Sequence, residues 1–271
     1  MEVKDVSVRI KRDGWCVVEG VIPDSEVGSI RESIVKTVDF HEHSEPDEFG
    51  VTNPSRRGLI NYDQSLASYL ANKYVMGVTN ELWGKWVKIT ITTPVFNRPG
   101  GKPQGWHADW PFNQTHPVAI KEPFPDTPMY LTMIYMLSDF TEENGATLLV
   151  PGSHRALYDH DQDTKMEPHP GQIQAVGPAG SALIFDGRMW HAVPVNKTDE
   201  IRVGVTVRYA PWWLNLNCII PGRPEREFMT DSDGTKERNI QFPLPRKVFH
   251  ALPKEVQDLF LHNVESSRQA H

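Results

Sequence analysis

Apolar residues recur at helical spacing near the start of the chain. Val27, Ile30, Ile34 and Val38 fall three to four apart, and Asp24 or Ser25 after Pro23 is placed to cap a helix over them. Gly14 to Val18 reads as a short strand before it. HEHSEPDEFGVTNPSRRG is polar and broken by Pro46, Pro54 and Gly58, the composition of a loop. A second helix is predicted around Gln64 to Leu82, with Leu66, Tyr69, Leu70 and Tyr74 on its apolar side. From residue 87 the period changes to two. VKITITTPVF alternates Val87, Ile89 and Ile91 with Lys88, Thr90 and Thr92, as a half-buried strand does.

Further strands are predicted over Tyr130–Leu137, Thr147–Val150, Ser181–Phe185 and Arg202–Tyr209, separated by NRPGGKPQG, ENGA, VPGSH and VGPAGS. Many short strands joined by Gly- and Pro-rich turns indicate a sandwich or barrel, not an α/β sheet. LPKEVQDLFLHNV closes the pattern as a helix with Leu252, Val256, Leu259 and Phe260 on one side. With no internal repeat, the 271 residues read as a single domain, 1–271, mainly β with flanking helices.

Composition narrows the function classes. The formal net charge is -7 and no dense Lys/Arg block occurs, which argues against nucleic-acid binding. No apolar run is long enough for a membrane span, and MEVKDVSVRIKRDGW lacks a signal-peptide core. Only Cys16 and Cys218 are present, which suits a reducing, cytoplasmic setting. A small-molecule substrate is the partner this leaves. Nothing in the pattern encodes an oligomeric state.

On a strand, residues i and i+2 face the same way, so His107 and Asp109 of WHADW can aim at one metal. A second histidine from a neighbouring strand would complete a facial set of two imidazoles and one carboxylate. That set leaves open positions suited to Fe(II). The pair alone is weak: 11 His and 35 acidic residues give roughly 1.4 such matches by chance. Indeed His43-Ser-Glu45 is another, in the polar loop, where nothing holds both side chains on one face. The weight comes from SALIFDGRMWHAVPVNKTDEIRVGVTVRY: an apolar strand, a turn carrying His191, and a strand opening with Arg202. Adjacent antiparallel strands would bring His191 to the metal and Arg202 to the same cavity, where a guanidinium binds a carboxylate bidentately.

Three blocks carry a family resemblance: HAD at 107–109, FTEENGATLLVPGSHR at 140–155 and DGRMWHAVPVNKTDEIR at 186–202. Together with KRDGWCVVEGVIPDSEV and the spacing of eleven from His191 to Arg202, they resemble the phytanoyl-CoA dioxygenase family over residues 8–40 and 87–210. The resemblance implies a double-stranded β-helix (a cupin-like jelly roll) with its core at about residues 87–210. It implies Fe(II), with 2-oxoglutarate and dioxygen as cosubstrates and release of succinate and CO2. Residue by residue, it makes His107, Asp109 and His191 the metal ligands and Arg202 the partner of the 2-oxoglutarate distal carboxylate. Thr132 matches a cosubstrate-contacting hydroxyl, and Arg98, where many relatives have Lys, is a further candidate cosubstrate contact. Val193 replaces a serine found in some relatives, which removes one cosubstrate hydrogen bond. Asp109 favours hydroxylation or a related oxidation, because halogenases of the superfamily have a small residue there.

Trp110, Phe112, Trp190 and Trp212 flank these motifs and are candidates for the substrate wall, with packing as the equal alternative for each. His154 reads as structural, and His116, His160 and His169 as solvated loop residues. The stretches 41–58, 111–128, 156–175 and 211–245 read as lids and pocket walls. No basic cluster marks a CoA phosphate site, so a free small metabolite is expected over an acyl-CoA. Two other readings remain: a catalytically silent jelly-roll binding protein, and a cupin-like hydrolase or isomerase using Zn or Mn. Neither has a use for Arg202 beside the metal.

Overall fold

The structure is a computed structural model that describes residues 1–42, 54–110, 126–155, 167–228 and 240–265. The β-rich part begins with β1 (Trp15–Val18) and continues through β2 (Val87–Asn97), β3 (Gln104–His107), β4 (Leu131–Met136) and β5 (Leu148–Leu149). It ends with β6 (Ile173–Gln174), β7 (Ala182–Asp186), β8 (His191–Val193) and β9 (Arg202–Pro211). The strands form two sheets, β1-β7-β4-β9-β2 and β3-β8-β5-β6, in which the named strands pair antiparallel. Two such sheets, with the chain crossing between them after β2, β3, β4, β6, β7 and β8, make the jelly roll that the motifs imply.

Alternation along each strand of the larger sheet decides what lies on either side. On β9, Val203, Val205, Val207 and Tyr209 join Leu131, Met133, Tyr135, Ala182 and Ile184 in the main apolar core. The helices α1 (Val3–Asp13), α2 (Asp24–His41), α3 (Lys73–Trp83), α4 (Arg246–Ala251) and α5 (Lys254–Phe260) bring Ile10, Ile34, Val75, Val248 and Val256 to that core. The opposite face of the same sheet, including Thr132, Ile134, Phe185, Arg202, Thr206 and Arg208, lines a cavity. One end of the space between the sheets is filled by Met136, Phe140, Leu149, Leu183 and Met189.

Several boundaries differ from the sequence expectation. Residues 3–13, to which the sequence pattern assigned no element, form α1: Glu2 and Asp5 make a capping box, Val6 and Ile10 are buried, and Gly14 ends the helix at φ 84°. α2 buries Val27, Ile30, Ile34 and Val38 as expected, but it starts at Asp24 after Pro23 and has no side-chain cap. Asp24 instead lies in the first turn, where a carboxylate meets the positive end of the helix dipole. The helix expected over 64–82 is broken. Ala67–Tyr69 is a 3-10 turn, and Asn72 caps α3 by accepting from the Tyr74 and Val75 amides. His191 opens a strand, β8, where a turn was expected.

A bulge corrects the reading of β2. Ile89 pairs with Tyr209 and Ile91 with Arg208, so two steps on β2 meet one on β9. Val87 and Ile89 therefore point to the helix-covered core, while Ile91, Thr93 and Val95 line the cavity. His43, Glu45, Phe112, His116 and His160 lie outside the described residues. Among the described residues, no helix is long and apolar enough to cross a membrane, and Cys16 and Cys218 are free.

Candidate metal and cosubstrate site

His107 closes β3, and Asp109 lies just past its end, in a bend held by the Trp110 amide donating to the Gly187 carbonyl at 2.9 Å. β8 pairs with β3 and sets His191 directly opposite His107. Ligand atoms of His107, Asp109 and His191 all lie within 4.8 Å of one another. The imidazole centroids are 4.0 Å apart, and His191 Nε2 is 3.9 Å from Asp109 Oδ1.

The hydrogen bonds fix which nitrogen faces the cavity. His107 Nδ1 is 2.9 Å from the Gly105 carbonyl, and His191 Nδ1 is 2.9 Å from the Met189 carbonyl. A carbonyl only accepts, so both Nδ1 atoms carry the proton and both Nε2 atoms keep a lone pair. The Gln104 amide lies 3.2 Å from His107 Nε2, as a donor to that lone pair would. Burial, with His191 alongside, pushes the His107 pKa down, and burial does the same for His191. Both rings are thus in the neutral form that binds a metal.

Asp109 is 3% exposed. Burial opposes its charge, but Arg208, the two histidines and Thr132 together hold its carboxyl below the usual range. Thr132 Oγ1 donates to Oδ2 at 2.5 Å, and Arg208 Nη2 donates to Oδ1. A neutral, neutral, anionic donor set of this kind fits a divalent first-row metal.

Arg202 opens β9 on the same inner face as Thr206 and Arg208 and lines the same cavity. It is 3% exposed, its guanidinium lies 4.2 Å from the Phe140 ring centroid, and its Nε has no hydrogen-bond partner. Gly204 permits this approach, because a Cβ there would come within 3.0 Å of Phe140 Cζ. Burial lowers the Arg202 pKa to about 10, and no carboxylate of the described residues pairs with it. An unpaired buried cation is costly unless an anion joins it. This is the strongest sign that the cavity is built for a carboxylate ligand.

A match to the family model described as phytanoyl-CoA dioxygenase spans residues 10–204. The chain belongs to the phytanoyl-CoA dioxygenase family. Among its relatives, dioxygenase cdmA of Talaromyces verruculosus is 28% identical over 74% of this chain and 70% of its own. A probable alpha-ketoglutarate-dependent hypophosphite dioxygenase of Stutzerimonas stutzeri is 22% identical over 85% of this chain and 87% of its own. Of solved structures, EctD from S. alaskensis, with 2-oxoglutarate and 5-hydroxyectoine, superposes with a TM-score of 0.59. It shares 21% identity and covers 78% of this chain and 76% of its own. The epimerase SnoN in complex with Fe3+, alpha ketoglutarate and nogalamycin RO gives a TM-score of 0.57 at 21% identity. That match covers 77% of this chain and 83% of SnoN. At these identities the superpositions establish the jelly-roll fold.

The remaining candidates separate cleanly. Arg98 points away from the cavity: it is half exposed and faces Asp39 and Glu42 at 3.9 and 3.5 Å, so the cosubstrate role given to it is withdrawn. Trp110 is buried with Tyr130, Leu216 and Ile219, and Trp190 packs with Trp106, Leu148 and Val150. Trp212 is 56% exposed. Among the described residues that line the cavity none of the three appears, so for Trp110 and Trp190 the packing alternative holds, while Phe112 lies outside the described residues. His154 is buried beside Gly14. His169 is half-buried, edge-on to Trp106 and Trp190, where a solvated ring was expected. Val193 does line the cavity, and the Thr147 and Thr206 side chains share that wall. Sequence reasoning missed Arg208, six residues from Arg202 on an alternating strand. The period of two would have placed both on one face.

Proposed function

We propose that the protein oxidises a small organic metabolite, most simply by hydroxylating a C–H bond, as an Fe(II)- and 2-oxoglutarate-dependent dioxygenase. Membership of the phytanoyl-CoA dioxygenase family supports the enzyme class. The single observation that carries the reading is the buried, uncompensated Arg202 sharing one cavity with the His107, Asp109 and His191 cluster.

In this reading His107 Nε2, His191 Nε2 and one Asp109 oxygen hold Fe(II), and Arg202 anchors the distal carboxylate of 2-oxoglutarate. Iron and 2-oxoglutarate, when bound, supply the dioxygen chemistry, with succinate and CO2 as coproducts. The chain's own residues orient and insulate. The Gly105 and Met189 carbonyls keep each imidazole's lone pair on the cavity side. Thr132 and Arg208 hold the Asp109 carboxylate in place and ionised. Ile91, Val95, Ile134 and Phe185 give the cavity dry walls, which strengthen the Arg202–carboxylate attraction. We read residues 1–271 as one such domain, acting in the reducing cytoplasm in keeping with its two free cysteines.

Anaerobic addition of Fe(II) and 2-oxoglutarate tests this directly. A weak visible charge-transfer band is expected from the wild type, with succinate release on admitting air and a substrate. A protein that forms no band, and whose Asp109→Ala variant binds iron as the wild type does, would refute the reading.

A further inference from the structure

Among the described residues, Arg202 is a long interior side chain with no hydrogen bond to choose its direction. No ion pair of the described residues holds it either. Left to itself, such a chain would sample several rotamers, and a ligand would have to arrest them on binding. What the guanidinium does meet is one ring. Its central carbon lies over Phe140, 4.2 Å from the ring centroid. Of the three cations that stand over rings among the described residues, Arg202 is the buried one, whereas Lys73 and Lys85 are exposed.

The ring is held in place from two sides. Phe140 is 1% exposed. Its amide donates to the Gly177 carbonyl at 2.9 Å and its carbonyl accepts from the Gly177 amide at 3.0 Å, a bridge that pins its backbone. Its side chain packs in the cluster of Met136, Ala146, Leu149 and Leu183. On the other side stands Gly204, two residues beyond Arg202 on the inner face of β9. A Cβ at Gly204 would lie 3.0 Å from Phe140 Cζ. Gly204 does not have a left-handed φ, so glycine serves the close approach there and not the backbone angles. The bare stretch of β9 lets the ring come up beside Arg202.

A π-face suits this task better than a polar neighbour would. It attracts the cation through the ring quadrupole, most strongly where water is excluded. It offers no lone pair to the N–H groups, so the donors of the guanidinium fork stay available to a carboxylate. A carboxylate or carbonyl in the same place would fix the guanidinium as well but would compete with the ligand.

We infer that Phe140 is a positioning residue for the cosubstrate, its ring holding the Arg202 guanidinium in one direction while leaving the N–H donors uncommitted. The assignment rests on the function proposed above, in which Arg202 receives the distal carboxylate of 2-oxoglutarate. Phe140 is not among the described residues that line the cavity, so it acts through Arg202.

The test uses the full chain, titrated anaerobically with Fe(II) and then with 2-oxoglutarate while the visible band is followed. Phe140→Leu keeps an apolar side chain in the cluster and removes the π-face. It should weaken 2-oxoglutarate binding about tenfold while Fe(II) affinity stays within about twofold of the wild type. In an Arg202→Ala background the same change should alter 2-oxoglutarate affinity by less than about twofold, because the residue through which Phe140 acts is gone. A general loosening of the site would carry over to that background. Wild-type 2-oxoglutarate affinity in Phe140→Leu overturns the inference, and so does a parallel loss of iron or a loss that persists without Arg202. Where the Arg202→Ala band is too faint to titrate, the split between iron and cosubstrate decides alone. Should Phe140→Leu not fold, Phe140→Met, whose flexible chain refills the space, takes its place. If neither folds, Phe140 is a packing residue and the inference falls. Absence of the band in the wild type would instead strike the function proposed above, which keeps the two failures apart.

Discussion

The two faces of β9 differ as sharply as two proteins. Val203, Val205, Val207 and Tyr209 are fully buried against the helices, and every one can be accounted for by packing. One residue away, Arg202, Thr206 and Arg208 place two cations and a hydroxyl in the interior, where packing alone would never put them. One face supplies stability. The other gives some of it up for chemistry, and the same backbone serves both because a strand alternates.

The comparison is broken most severely by putting chemistry on the packing face. Val205→Asp would bury an unpaired carboxylate among apolar side chains, a cost of about 3–5 kcal/mol. Such a loss is a large fraction of a typical domain's stability. Denaturant titration should show the variant unfolded or close to it. A midpoint near the wild type would mean that this face is not the core. The reciprocal change on the inner face, Asp109→Asn, should leave the fold in place and lower Fe(II) affinity about a thousandfold, or about 4 kcal/mol. Equilibrium iron binding and circular dichroism on the same sample separate the two outcomes.

The same alternation explains how much of this was legible in the sequence. Val87 to Asn97 and Arg202 to Pro211 announce themselves by period two, and Val27, Ile30, Ile34 and Val38 by period 3.6. The bulge between Ile89 and Ile91 left no such mark, so the face change within β2 was invisible. α1 was hidden because only Val6, Ser7 and Ile10 are buried on it, too few apolar positions to show a helical period. The ligand cluster was legible through long motifs, whereas for Trp110 and Trp190 the sequence left packing and cavity lining open. They stand next to Asp109 and His191 but outside β3 and β8, where no period fixes their side, and both pack in apolar clusters. Arg208 was available by alternation along β9 and went unnoticed beside the motif-bearing Arg202.

Arg202 sharpens the contrast in two directions. Arg202→Ala should weaken 2-oxoglutarate binding about a hundredfold, or about 2.7 kcal/mol, with iron affinity nearly unchanged. Equal loss of both would remove it from the cosubstrate role. Arg202→Met should have the opposite effect on the free protein. It replaces an unpaired buried guanidinium with an apolar side chain, and calorimetry without 2-oxoglutarate should find a higher melting temperature. Saturating 2-oxoglutarate should then stabilise the wild type and leave the Met variant where it was.

Thr132→Val is the mildest of these changes. The two side chains have nearly the same shape, so the inner wall keeps its volume and only the donor to Asp109 Oδ2 is lost. A hydrogen bond to a charged group contributes about 1.5–3 kcal/mol, and the Arg208 contact remains to hold the carboxylate. Fe(II) affinity should therefore fall about tenfold, at the low end of that range. The Arg202-dependent gain from 2-oxoglutarate should persist, because Arg202 makes no bond to Thr132 or Asp109. Were Thr132→Val instead to abolish cosubstrate binding and spare the iron, Thr132 would be a cosubstrate contact, and the inner face would be wired differently from the hydrogen bonds described here.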